Sequence, residues 1–131
     1  MTVWTNGCFD VIHAGHIALF EYAKSLGDRL VVGLDTDERV KLNKGPSRPV
    51  HTLEQRIRVI SSLKFVDKAV SFSSDEELVE RIRQEKASLI VVGNDYVGKR
   101  VIGSEIAAVC FFSRIPDLST TRIVNANSVR S

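Results

Sequence analysis

Thr5-Asn6-Gly7-Cys8-Phe9-Asp10-Val11-Ile12-His13-Ala14-Gly15-His16 is the stretch on which the reading of the fold turns. A short apolar run, Val3 to Thr5, leads into it, and apolar residues at helical spacing, Ile17, Phe20, Ala23 and Leu26, lead out of it. It therefore reads as the turn between a first strand and a first helix. If Gly15 lies in the first helical turn, the backbone can approach a ligand closely, while His13 and His16, three residues apart, share a face beside the unbonded N–H groups of the helix start. That geometry suits phosphate. The same residues also allow a purely structural reading, in which one histidine caps the helix and the other packs against it.

Working outward, further short apolar runs occur at Leu30 to Leu34, Lys68 to Phe72, Leu89 to Val92 and Val109 to Phe112. Helical spacing recurs in Ile57, Ile60 and Leu63, and in Leu78, Val79 and Ile82 of the stretch Asp75 to Gln84, which two serines precede. Strands alternating with helices predict an α/β fold, a doubly wound sheet of five parallel strands. A single domain over 1–131 is expected, with no repeat or linker. The loop-rich region from Asn43 to His51, with Gly45, Pro46 and Pro49, is placed to act as a substrate-binding segment. In such sheets ligands bind outside the carboxyl ends of the strands, where the winding direction switches.

With 131 residues and 44% hydrophobic content, the chain can bury about 70% of the surface its unfolded form exposes, so no disulfide or structural metal is needed. Net charge is +2, from 18 basic and 16 acidic residues scattered along the sequence, which argues against a nucleic-acid partner. No run approaches the roughly 20 apolar residues of a membrane span, and no charged leader is apparent, so a cytoplasmic protein is expected. The two cysteines, Cys8 and Cys110, fit a reduced state.

The opening string resembles the pattern Gly-x-Phe-Asp-x-x-His-x-Gly-His of the cytidylyltransferase-like nucleotidyltransferase superfamily, and the resemblance extends almost to the C-terminus. It implies a Rossmann-like fold and direct in-line attack of a substrate phosphate on the α-phosphorus of a nucleoside triphosphate, without an enzyme-linked intermediate. It further implies that His13 and His16 donate hydrogen bonds to triphosphate oxygens and that Lys44 is the loop lysine that contacts phosphate. Asn6, Gly7, Cys8, Phe9, Asp10 and Gly15 would then lie at the nucleotide, and Gly93, Asp95 and Tyr96 would line its base pocket. Ser119, Thr120 and Thr121 resemble the family's Ser-Thr-Thr phosphate motif, although Ser119 or Thr120 can equally cap a last helix. Arg48, Arg56 and Arg114 are candidates for the substrate phosphate; Arg48 also reads as a surface charge and Arg56 as a partner in an ion pair. A divalent ion, Mg²⁺, would accompany the triphosphate, with no metal site built from protein side chains, and a homodimer is the implied assembly.

Within the superfamily, Lys44-Gly45, Ser47-Arg48-Pro49-Val50, Leu53-Glu54-Gln55-Arg56, Val70-Ser71-Phe72 and Gly103-Ser104-Glu105 are most similar to the adenylyltransferase domain of ADP-heptose synthases, which implies ATP and heptose 1-phosphate as substrates. Arg114 and the run Gly93 to Lys99 are also similar to glycerol-3-phosphate cytidylyltransferases, while Ile115-Pro116-Asp117-Leu118 departs from them. Two readings of another class stand beside these: a nucleotide sensor without turnover, and a zinc protein using Cys8, His13, His16 and His51, whose spacing is not that of a zinc finger.

Overall fold

A computed structural model describes residues 1–113 and 123–124. Five parallel strands form its sheet: β1 (Thr2–Gly7), β2 (Arg29–Asp35), β3 (Lys68–Phe72), β4 (Ala87–Gly93) and β5 (Ala108–Phe112). A short sixth strand, β6 (Ile123–Val124), adds antiparallel to β5, giving the order β3-β2-β1-β4-β5-β6. Among the described residues the α-helices are α1 (Ala14–Ser25), α2 (Asp37–Lys44), α3 (Leu53–Ser61) and α4 (Asp75–Gln84). None among the described residues is long and apolar enough to cross a membrane.

Side chains alternate across the strands, so successive residues enter opposite layers. Val3, Leu30, Val32, Leu34, Leu89, Val91 and Cys110 pack with Phe20 and Ala23 of α1 and Ile60 of α3. Trp4, Val31, Ile90, Val109 and Phe111 pack on the other face with Leu78 and Ile82 of α4. Coverage of both faces is why these strands read as continuous apolar runs. Both cysteines are free thiols.

The helix that apolar periodicity does not announce is α2, in which Val40 alone is buried. Its start is written in Thr36, whose hydroxyl accepts from the Arg39 N–H, and in Asp37 and Glu38 in the first turn. It ends at Lys44 because Gly45 adopts φ 103°, a conformation that favours glycine.

The winding direction switches between β1 and β4, the two strands flanking the centre of the order. β1 stays paired to β2 through Gly7↔Leu34, but its pairing with β4 ends at Trp4↔Ile90. One residue further on, the Thr5 hydroxyl donates to the Val91 carbonyl at 2.8 Å. A side-chain hydroxyl thus takes the place of the next rung, and a crevice opens beyond it.

Two side-chain devices hold this frame. The indole of Trp4 lies so close to Gly33 that a Cβ there would meet it at 2.4 Å. Glu85, at the end of α4, accepts from Arg29 and Lys68 at 2.8 Å each, tying the starts of β2 and β3 together. Burial alone would raise the Glu85 carboxyl pKa, but Lys68 and Arg29 outweigh it and hold it below the ordinary range.

Gly33→Ala is expected to destabilise the domain by about 1–3 kcal/mol through overpacking, measured by urea denaturation. A folded-state pKa below the unfolded one means that Glu85 stabilises fully above the unfolded carboxyl range, about pH 4.3, and that this stability is lost as pH falls through the folded value. Melting temperature should therefore drop on acidification below about pH 4. In Glu85→Gln the neutral-pH stability is lower and the acid drop smaller.

Candidate active site

A cleft of about 610 Å³ lies over the carboxyl ends of β1, β2, β3 and β4, lined among others by Asn6, Gly7, Asp35, Phe72 and Gly93. The opening string supplies one wall. Trp4 Nε1 donates to Asn6 Oδ1 at 2.9 Å, which leaves the Asn6 carboxamide nitrogen as its remaining polar group and makes that side chain a donor in the cleft. Phe9 takes a left-handed backbone conformation, φ 49°, unusual for a bulky side chain and found where surrounding contacts enforce it. Those contacts are edge-to-face packing on Phe20, with centroids 5.1 Å apart, and on His16 at 5.5 Å. The ring also passes over Gly7, where a Cβ would lie 3.0 Å from it. Phe9 thus lines the cleft and props His16 from below.

The two histidines cap α1 reciprocally. His13 Nδ1 accepts from the Gly15 N–H at 3.0 Å, and His16 Nδ1 accepts from the His13 N–H at 3.2 Å. Their rings lie 4.0 Å apart. Gly15 is in the first helical turn. Because each Nδ1 is an acceptor, a ring proton belongs on Nε2, which makes Nε2 the donor edge of each imidazole. The structural and the ligand-directed readings of this pair are therefore compatible in one geometry. No acidic residue occupies the first turn of α1, whereas α2, α3 and α4 each carry at least one there, so the positive end of the α1 dipole is left to an outside anion. His16 lines the cleft; His13 is exposed at its edge.

Lys44 stands on the last turn of α2, ahead of the loop, and lines the cleft. It makes no ion pair among the described residues. Its charge reaches both Cys8 and Asp35. Arg100 is a further exposed cation on the cleft wall. Burial pushes the Cys8 thiol pKa up, against the pull of Arg56 and Lys44, so Cys8 stays protonated at neutral pH and is a poor nucleophile. Gly93 and the half-exposed Tyr96 border the cleft at the end of β4.

Other expected residues lie elsewhere. Arg56, a candidate for the substrate phosphate or for an ion pair, lies in the structure as an internal tie: it is 1% exposed. Its guanidinium donates to the carbonyls of Asp35 at 2.8 Å, Cys8 at 2.9 Å and His51 at 3.1 Å, and to Asp37 Oδ1 at 2.7 Å. Four of its five N–H groups are thereby engaged. Asp10, expected at the nucleotide, is buried and accepts from the N–H groups of Val50 at 2.7 Å and His51 at 2.8 Å, so it holds the loop. Burial would raise the Asp10 carboxyl pKa, yet His51, Val50 and Arg48 together hold it low. Arg48 belongs to the same tie, with Nη1 3.4 Å from Asp10. Arg114, Ser119, Thr120 and Thr121, and the side chain of Asp95, lie outside the described residues. Among the described residues no three His, Cys, Asp or Glu side chains converge as a metal site, so the zinc reading finds no ligand set there. Asp35, Arg39 and Asn43 line the cleft without having been singled out in the sequence. The position of Asp35 at the carboxyl end of a strand is the signal that marks it.

Comparison with known proteins gives this geometry its family. A cytidylyltransferase-like family model matches residues 4–126. The chain belongs to the cytidylyltransferase-like family. It is a nucleotidyltransferase. Curated relatives named bifunctional protein HldE include one from Campylobacter fetus, 44% identical over 124 residues, 94% of this chain and 27% of that protein. One from Sulfurimonas denitrificans is 48% identical over 105 residues, 80% of this chain and 22% of that protein. The chain thus spans about a quarter of the length of these relatives. Among solved structures, the lipopolysaccharide core biosynthesis protein from Thermoplasma volcanium superposes with a TM-score of 0.64 at 31% identity, over 72% of this chain and 75% of that one.

Replacing Arg56 by Leu should leave three carbonyls and Asp37 without their donor and cost about 3 kcal/mol or more in urea denaturation. Arg56→Lys should recover little of it, because one ammonium cannot span four acceptors set around a planar fork.

Proposed function

We propose that the domain transfers AMP from ATP to a sugar 1-phosphate such as heptose 1-phosphate and releases pyrophosphate. The observation that carries this reading is the reciprocal His13–His16 cap at the start of α1, which commits both Nδ1 atoms to the backbone and makes Nε2 the donor edge of each ring, with His16 lining the switch-point crevice. Identity above 40% to HldE proteins supports the choice of ATP and a heptose phosphate.

In this mechanism an oxygen of the acceptor phosphate attacks the α-phosphorus. A new O–P bond forms there as the bond from the α-phosphorus to the bridging oxygen of pyrophosphate breaks. The electron pair leaves with pyrophosphate, and the acceptor oxygen, already anionic, needs no general base. The protein's work is positioning and charge stabilisation. His13 and His16 donate to oxygens whose charge grows in the transition state, Lys44 adds a mobile positive charge, and Asn6 donates from the β1 end. Gly93 and Tyr96 flank the base. The cleft's lining is chiefly cationic, with His16, Arg39, Lys44 and Arg100 against the single carboxylate Asp35 among the described residues, which fits a Mg²⁺ ion held mainly by phosphate oxygens and water. When bound, that ion supplies further charge neutralisation. A cytoplasmic location and a homodimeric state belong to the same reading.

Pyrophosphate release with Mg²⁺ tests it, with ATP and CTP each offered heptose 1-phosphate and glycerol 3-phosphate. Release is expected with ATP and heptose 1-phosphate. Release confined to CTP with glycerol 3-phosphate overturns the choice of substrates, and silence in every pair favours a nucleotide sensor. His16→Ala should lower kcat by about 10²-fold or more while the domain stays folded, with the loss of the acceptor for the His13 N–H costing about 1 kcal/mol in denaturation.

A further inference from the structure

The cleft has a second polar wall that the transfer chemistry does not use. Asp35 ends β2, and its Oδ1 accepts from Arg39 Nε at 2.8 Å. Arg39 also donates through Nη2 to Asp75 Oδ1 at 2.6 Å, and its guanidinium lies 5.4 Å over the Phe72 ring. Pinned from three sides, Arg39 fixes the Asp35 carboxylate in one orientation. The two side chains are only 18% and 16% exposed.

The second oxygen, Oδ2, accepts from none of the described residues. No fully buried side-chain oxygen among them lacks a partner, so Oδ2 opens to solvent space, and the space Asp35 lines is the cleft. A fixed carboxylate oxygen repels phosphate and accepts readily from a hydroxyl. His13 and His16 flank the start of α1, Lys44 ends α2, and Tyr96 follows β4, while Asp35 ends β2, across β1 from the base side.

We infer that Asp35 Oδ2 accepts a hydrogen bond from a hydroxyl of the phosphorylated acceptor and so selects polyhydroxylated acceptors, with Arg39 as its positioning residue. The inference rests on the transferase reading above for the division of the cleft between nucleotide and acceptor. It adds the residue that distinguishes a sugar phosphate from a phosphate lacking hydroxyls. A site built to bond a hydroxyl discriminates strongly against the analogue that lacks it, because its own acceptor is then left unpaired.

Equilibrium binding by titration calorimetry tests it, using heptose 1-phosphate, glucose 1-phosphate, monodeoxy forms of glucose 1-phosphate, and ATP as probes. The expected result is that Asp35→Ala weakens binding of a sugar 1-phosphate by about tenfold and changes ATP binding less than twofold. One monodeoxy analogue should lose a similar factor with the wild-type protein and no further factor with the variant. Asp35→Asn, which keeps the shape of the side chain, guards against a folding artefact and should fall between. Equal sugar phosphate binding by wild type and both variants overturns the inference, and so does a comparable loss for ATP, which would assign the oxygen to the ribose. Failure of every sugar phosphate to bind the wild-type protein overturns it as well. Pyrophosphate release by the wild-type protein is read separately. Turnover with an indifferent Asp35 sinks only this inference, whereas Asp35-dependent binding without turnover sinks only the transferase reading.

Discussion

One buried guanidinium holds the working end of this domain together. Arg56 sits on α3, outside the sheet, yet it bonds the backbone of the β1 turn at Cys8, the end of β2 at Asp35, the loop at His51 and the first residue of α2 at Asp37. Cys8 and Asp35 lie at strand ends and His51 in a loop, where carbonyls lack ladder or helical partners. An apolar residue of equal volume would fill the space and leave those carbonyls unsatisfied. The planar fork suits the task because its donors point in fixed, divergent directions. Asp10 does the complementary work for N–H groups, receiving those of Val50 and His51. Between them, one cation and one anion fix the route of the chain around the cleft, which allows the residues facing the cleft to be chosen for ligands.

The histidine pair shows how one side chain can cap a helix and keep a second polar edge for the role proposed above. A serine or aspartate cap satisfies the helix start and presents little beyond it. An imidazole has two nitrogens on opposite edges of a rigid ring, so the nitrogen that accepts from the backbone also determines which nitrogen donates outward. The cap is therefore also a tautomer selector, and Phe9, in its left-handed conformation, holds the His16 ring at a set angle.

Legibility in the sequence followed the range of the interactions. The five parallel strands were readable because burial on both faces makes them short, dense apolar runs, and α1, α3 and α4 because their apolar residues recur at helical spacing. The His13-x-x-His16 pair was readable for the same reason: its members meet through a separation of three residues. α2 escaped because it buries a single side chain and is held by its cap and by charges. The place of Arg56 escaped because three of its four partners lie five, 21 and 48 residues away and are backbone carbonyls, which look the same in every residue. Asp10 was legible as a motif residue, but its commitment to a loop 40 residues on was not. The wall formed by Asp35 and Arg39 depends on Asp75, brought near by the β2–β3 pairing, and no local pattern encodes that meeting.

Trp4 joins the middle of the sheet to the cleft. Its ring requires glycine at position 33 on the neighbouring strand, and its indole N–H orients Asn6 two residues later. Positions 4 and 33 are therefore sterically coupled: a side chain at 33 needs a smaller ring at 4, and a smaller ring without the indole N–H gives up its hold on Asn6. A substitution deep in the core is thus registered as a change in hydrogen bonding at the cleft. Divergence of this site toward other ligands can begin among residues that no ligand touches.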